Sequence, residues 1–229
     1  MKEYIRFLIL IIVLPCFMNL IAFSESTEAY YPLKEGKTWE YQMSLSSLLG
    51  AGGTQKVIVT NFAQRKMKDK IVTPQKIDML GLSSFVFVSK DSEGIFEFAT
   101  QIPGSIEPKI KPLPNYFLKY PIKVGTTWNY ETQTILLQKN FSINLKCSIE
   151  SINEVITVPA GTFKGCVKVK GVGSRKERMG MLFGKTDINV EHYNWYAPGV
   201  GTIKSIIKEV SNKMMIGSGT FSIQLESYK

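Results

Sequence analysis

From Trp39 almost to the C-terminus, apolar and polar residues alternate with a period of two, and no stretch of useful length carries the period of an amphipathic helix. Such a chain buries one face of each segment only by setting strands side by side. Trp39, Tyr41, Met43 and Leu45 alternate with Glu40, Gln42, Ser44 and Ser46, and Gly50-Ala51-Gly52-Gly53 then marks a turn into a returning strand at 56–62. The run Phe85-Val86-Phe87-Val88 is apolar on both faces, as a central strand is, and Asp91-Ser92-Glu93-Gly94 turns it back into 95–100. Pro103, Pro108, Pro112, Pro114 and Pro121 read as an irregular crossover. Beyond it the alternation predicts strands near 127–138, 141–155, 163–172, 186–196, 201–210 and 213–227. The expectation is an all-β fold, one large curved antiparallel sheet of roughly ten strands, either a half-barrel or a sheet folded over on itself. The apolar phase shifts between Ile149 and Ile152, which predicts a bulge where the sheet bends.

The chain also repeats itself. Tyr31-Pro32-Leu33-Lys34-Glu35-Gly36-Lys37-Thr38-Trp39-Glu40-Tyr41 returns as Tyr120-Pro121-Ile122-Lys123-Val124-Gly125-Thr126-Thr127-Trp128-Asn129-Tyr130, an offset of 89 residues. Each copy reads as a turn followed by a strand. Proline fixes φ, glycine permits the reversal, and Trp with Tyr two residues on shares one face. The repeat predicts two related halves, about 30–119 and 120–229, within a single domain spanning 25–229. Neither half has enough chain to bury a good core alone.

The front of the chain has a different character. Lys2 and Arg6 precede an apolar stretch at 7–23, and Ala22-Phe23-Ser24 offers small residues where signal peptidase reads, so residues 1–24 are expected to be a cleaved signal peptide. Pro15 and Asn19 interrupt the stretch, which falls short of the roughly 20 apolar residues of a membrane span. The competing readings are a retained anchor through 7–23 and lipidation at Cys16, for which Pro15 is a poor preceding residue. Export places the protein in the periplasm or cell envelope.

The formal net charge is +9, and loss of the leader removes two basic residues and one acidic one. A basic surface suits anionic lipid headgroups or polysaccharide. No compact Lys/Arg run points to nucleic acid. Cys147 and Cys166 remain in a compartment that permits disulfides. Cys147 is in phase with the apolar Phe141, Ile143 and Leu145, whereas Cys166 is in phase with Lys164, Lys168 and Lys170. Paired residues on neighbouring strands share a face, so this phasing opposes a bridge unless a bulge intervenes.

The two repeat copies, Val158-Pro159-Ala160-Gly161-Thr162-Phe163 with Cys166 behind it, and Trp195-Tyr196-Ala197-Pro198-Gly199-Val200-Gly201 occur in order along the chain. In these motifs the chain resembles an uncharacterised family of exported bacterial β proteins with a Tyr-Pro-Leu-x-x-Gly-x-x-Trp-x-Tyr element. The resemblance implies a secreted β fold similar to the half-barrels of lipoprotein-localisation factors, and it implies no catalytic residues. The stretch 174–185 departs from the family pattern.

No constellation commits the chain to a chemistry. Its one histidine, His192, is in phase with Ile188 and Val190 and reads as packed or hydrogen-bonded. There is no Gly-x-Ser-x-Gly elbow for it to serve. One histidine and two cysteines of opposite phase make no metal site, and Gly199-Val200-Gly201 lacks the third glycine and the helix of a dinucleotide fingerprint. No catalytic residue, metal or cofactor is therefore assigned, and the chain is read as a non-enzyme. The recurring aromatics are the more telling feature. Trp39, Tyr41, Trp128, Tyr130, Trp195 and Tyr196 are candidates to line an apolar cavity for a lipid or other hydrophobic ligand; packed core is the competing reading. At a predicted hairpin tip, Arg178, Met181, Leu182, Phe183 and Lys185 combine apolar and basic side chains suited to an anionic membrane surface. The leading expectation is a carrier of a hydrophobic ligand, and the alternative is an envelope interaction module with a filled core.

Overall fold

The computed structural model describes residues 30–47, 53–137, 140–178, 184–213 and 216–229. The expected signal peptide, its cleavage site, Cys16 and the turn residues Gly50, Ala51 and Gly52 lie outside these residues. The described chain is all β: β1 (Thr38–Ser47), β2 (Gly53–Asn61), β3 (Arg65–Met67), β4 (Lys70–Met79), β5 (Leu82–Asp91), β6 (Gly94–Gln101), β7 (Lys109–Lys119), β8 (Thr127–Gln133), β9 (Ser142–Val158), β10 (Gly161–Arg178), β11 (Lys185–Ala197), β12 (Gly201–Ser211) and β13 (Gly219–Tyr228). The strands form one antiparallel sheet in the order β7-β6-β5-β4-β2-β1-β13-β12-β11-β10-β9-β8, with β3 paired to β4 off that path. The first and last strands pair in the middle of the sheet, and the two edges, β7 and β8, are neighbours in sequence.

Those edges face each other, so the sheet curls into a nearly closed barrel. Side chains join the seam. The Asn115 side-chain amide of β7 donates to the Glu131 carbonyl at 2.9 Å and accepts from the Glu131 N–H at 2.8 Å. It thus copies the two bonds of a paired backbone residue. At the next residue of β7, the Tyr116 carbonyl accepts from the Trp128 indole N–H at 2.9 Å. The Asn115 amide also donates to the buried Glu97 carboxylate at 3.2 Å.

Registered pairs carry the inner face around the wall. Val59 lies opposite Trp39, Val57 opposite Tyr41, Ile77 opposite Val59, and Ile223 opposite both Met43 and Ser205. On the β9–β11 side, Leu145, Cys147, Ile149, Val167, Val169, Ile188 and Val190 form the largest core cluster. At one end the loop after β8 packs Leu137 and Phe141 into that cluster beside Ile216. There the buried Glu209 carboxylate accepts the Ile135 and Leu136 N–H groups, each at 2.8 Å. From the other end, residues before β1 send Tyr31 inward to stack on Phe117, with ring centroids 5.7 Å apart.

Two expectations need correction, the proline-rich crossover and the surroundings of Cys166. Pro112 and Pro114 do not end regular structure: they lie within β7, inside a slip of the β6–β7 ladder and on an edge strand, where a missing N–H is tolerated. The expected single large antiparallel sheet is present, and among the described residues it has thirteen strands, β3, β4 and β7 adding to the roughly ten that alternation marks. Cys166 is not on a wet face. It shares a face with Lys168 and Trp195, but that face is covered at this point, and Cys166 is buried in a cluster with Val158, Trp195 and Ala197. Cys147 and Cys166 are both free. The β9–β10 ladder slips where Lys168 pairs Ser151 and Val169 pairs Ile149, leaving Glu150 extra. This is the bulge that the apolar phase shift predicts.

Candidate functional site

A cavity of about 360 Å³ lies inside the barrel, bordered by Tyr130, His192, Asn194, Tyr196, Ser205 and Ile207 among others. A smaller pocket of about 140 Å³ adjoins it, sharing Tyr31, Ile77, Thr202 and Ile223 and adding Trp39 and Tyr41. At the seam, a cleft of about 770 Å³ opens between the β6–β7 connection and β8. Tyr130 lines both the cleft and the interior cavity. Gly171 borders the cavity as well. A Cβ there would stand 3.0 Å from the Cys147 sulfur, so glycine keeps the lumen open at that point.

The walls are mostly rings and aliphatic groups, with a few polar atoms. Four of five tyrosine hydroxyls are committed: Tyr31 donates to the Gln75 side-chain oxygen at 3.0 Å, Tyr41 to the Thr202 carbonyl at 2.8 Å, Tyr116 to the Asp91 carboxylate at 2.9 Å, and Tyr196 to the Phe117 carbonyl at 3.3 Å. The Tyr130 hydroxyl has no hydrogen-bond partner among the described residues. Burial holds all five phenols well above the usual tyrosine range, so each stays a neutral O–H. His192 Nε2 lies 3.0 Å from the Ser205 hydroxyl. Burial pushes its pKa down to about 4, so the ring is neutral at neutral pH. The Cys147 thiol is likewise pushed up to about 12 by burial. Among the described residues, no Asp, Glu, Lys or Arg lines the interior cavity. The field of Glu97 adds to the upward push on Tyr130, and Asp91 and Lys119 stand against Tyr116. Glu97 is engaged by Asn115, Thr100 and Lys111.

Of the six candidate aromatics, Trp39, Tyr41, Tyr130 and Tyr196 border the interior space. Trp128 and Trp195 do not. Trp128 is buried in the core beside Cys147, fastening the seam. Trp195 sits on the opposite face from Tyr196, where its N–H donates to Glu154 at 2.7 Å and Lys168 and Lys204 flank its ring. At the hairpin tip, Arg178 and Lys185 are exposed and pair across β10 and β11. Met181, Leu182 and Phe183 lie outside the described residues. Sequence reasoning missed Tyr31, Phe117 and Ser205 as lining residues. Tyr31 opens the first repeat copy, which was its one signal. The inward phase of His192 with Ile188 and Val190 was visible, but not the space in front of it. No group of three or more His, Cys, Asp or Glu side chains among the described residues is placed to hold a metal ion.

Comparison with known proteins adds a family. The family model described as DUF3108-like matches residues 51–218. Among solved structures, the chain is similar to a candidate lipoprotein from Parabacteroides distasonis, at 17% identity and a TM-score of 0.41, covering 87% of this chain and 98% of that one. It is also similar to a candidate exported protein with a YmcC-like fold from Bacteroides fragilis, at 14% identity and a TM-score of 0.43, with the same coverages of 87% and 98%. No curated protein is similar enough to count as a match.

Proposed function

The chain belongs to the DUF3108-like family, and from that premise we propose that it is an exported, non-enzymatic envelope protein that binds or carries a lipid or other hydrophobic ligand inside its barrel. The observation that carries this reading is the interior cavity of about 360 Å³, walled by rings and aliphatic groups with a few polar atoms. That volume falls within the roughly 300–1,000 Å³ of small-molecule sites and well above the packing voids of an ordinary core. Export rests on the basic, apolar and small-residue succession of residues 1–24. The repeat supports a single domain of two related halves, 30–119 and 120–229. The basic tip around Arg178 and Lys185, with Met181, Leu182 and Phe183, is proposed to touch an anionic membrane surface. Loss of liposome binding on deleting residues 181–183 is the expected result.

The second reading, an interaction module without ligand, is favoured by the tryptophans. All three are buried and spend their N–H on protein acceptors, as core residues do. Native mass spectrometry of protein purified from an exporting host separates the two. A chain starting at Glu25, with extra mass that extracts into organic solvent, is the expected result. A bare polypeptide mass at every collision energy would move the assignment to the interaction module.

A further inference from the structure

Resting on the carrier reading, we infer that the barrel takes an uncharged amphiphile: a chain or ring body with one neutral hydrogen-bonding group, such as an alcohol, ketone or ester, and not a fatty-acid anion. Among the described residues the cavity wall contains no cation, so a carboxylate entering it would lose its water and gain no counter-charge. Glu97, whose field reaches the Tyr130 phenol, is itself negative, and Lys119, over the Tyr116 ring, is paired with Glu93. His192 supplies no cation at neutral pH, since burial keeps the imidazole neutral. A cationic head fares no better, because the Glu97 carboxylate is occupied by Lys111, Asn115 and Thr100.

What the wall does offer is neutral. The Tyr130 hydroxyl is a donor and acceptor left uncommitted, on a ring standing between the seam cleft and the lumen. Deeper in, the His192–Ser205 pair retains hydrogen-bonding capacity beyond its shared bond. A polar head at Tyr130 and an apolar body along Phe117, Tyr196, Ile207 and Ile223 fit this distribution. Size agrees. An apolar cavity of roughly 150 Å³ takes up benzene, so by proportion 360 Å³ suits about 15 non-hydrogen atoms.

The test is calorimetric titration of the secreted protein at pH 8 with 1-decanol, methyl decanoate, decanoate and decylamine, for wild type and Tyr130→Phe. The inference expects decanol and methyl decanoate to bind, and decanoate and decylamine to bind at least about a hundredfold more weakly. Tyr130→Phe should weaken decanol roughly three- to tenfold, the share of one neutral hydrogen bond. A thermal melt of Tyr130→Phe within a few degrees of wild type shows that the loss lies in binding rather than folding. Decanoate or decylamine binding as tightly as decanol, or an unchanged decanol affinity in Tyr130→Phe, overturns the neutral-ligand inference and leaves carriage standing. Failure of all four probes overturns the carrier reading and this inference with it.

Discussion

His192 gives the sharpest quantitative handle, because it is the only histidine in the chain. Its ring is held neutral in the barrel wall, with a pKa lowered from 6.5 to about 4 by desolvation. Between those values the unfolded chain takes up a proton that the folded chain refuses. Stability from this group is therefore complete above pH 6.5 and is lost as the pH falls toward 4, below which the loss levels off. A displacement of that size corresponds to at most about 3 kcal/mol. Water entering the cavity beside the ring lowers the figure, so we expect about 2 to 3 kcal/mol. The assay is urea denaturation of wild type and His192→Gln at several pH values between 7.5 and 4. Carboxylates titrate in both proteins, and the difference between the two curves isolates the imidazole. At pH 7.5 the variant should differ little, losing at most the Ser205 bond. By pH 4 it should have gained about 2 to 3 kcal/mol on wild type. The single histidine C–H resonance should titrate near 4, independently of the denaturation curves. Parallel stability curves, or a resonance titrating at 6 to 7 as in a solvated histidine, would refute the buried, neutral ring.

Three further outcomes follow from the packing. Asn115→Ala removes the amide that copies a backbone pair at the β7–β8 seam, and should cost about 2 kcal/mol in denaturant titration, with faster amide exchange at Glu131. Gly173→Ala would set a Cβ 2.7 Å from the Asn144 carbonyl oxygen and 2.8 Å from the Leu145 side chain, so the thermal midpoint should fall by several degrees, in line with an overpacking cost of roughly 1 to 3 kcal/mol. Cys147 and Cys166, free and buried, should resist alkylation at pH 8 in the folded protein and react fully in denaturant without reductant. A mass two daltons light before reduction would instead reveal a bridge.

The architecture was legible because its signal is local. Alternation marks each strand with an inner face, and β1, β5, β6 and β9 to β12 stand close to where it places them. What escaped depends on neighbours. β7 carries Pro112 and Pro114, which read as breakers until its place at the edge of the sheet is known. β4 carries Pro74, which falls where its second neighbour changes from β2 to β3. Cys166 was misread as wet because its face, shared with Lys168, is covered locally by Val158, Trp195 and Ala197, and such cover leaves no mark on the alternation. The cavity was legible only in part. Motif recurrence pointed to Trp39, Tyr41, Tyr130 and Tyr196, but whether rings touch one another or enclose a space depends on how far the barrel closes. That is settled across the seam by Asn115, a residue without a distinguishing pattern around it.

The recurring Trp-x-Tyr element makes sense once its two rings are considered separately. Both point to one face, since the period of a strand is two. Near the start of β1 and of β8, the indole donates to a carbonyl outside its own strand, Val200 for Trp39 at 2.6 Å and Tyr116 for Trp128 at 2.9 Å. A buried indole N–H demands such a partner, so each tryptophan ties the barrel wall together and has nothing left for a ligand. The tyrosine two residues on reaches the lumen in both copies, but the copies then diverge. Tyr41 donates to the Thr202 carbonyl and becomes part of the wall. Tyr130 meets no such acceptor, because its strand is an edge and the cleft at the seam lies beside it. A repeated motif therefore yields one structural tyrosine and one uncommitted one, and the difference arises from the position of the seam rather than from the motif. Exchanging Tyr41 and Tyr130 for phenylalanine one at a time separates these roles. The first should reduce stability by roughly 1 kcal/mol, and the second should act on ligand affinity alone.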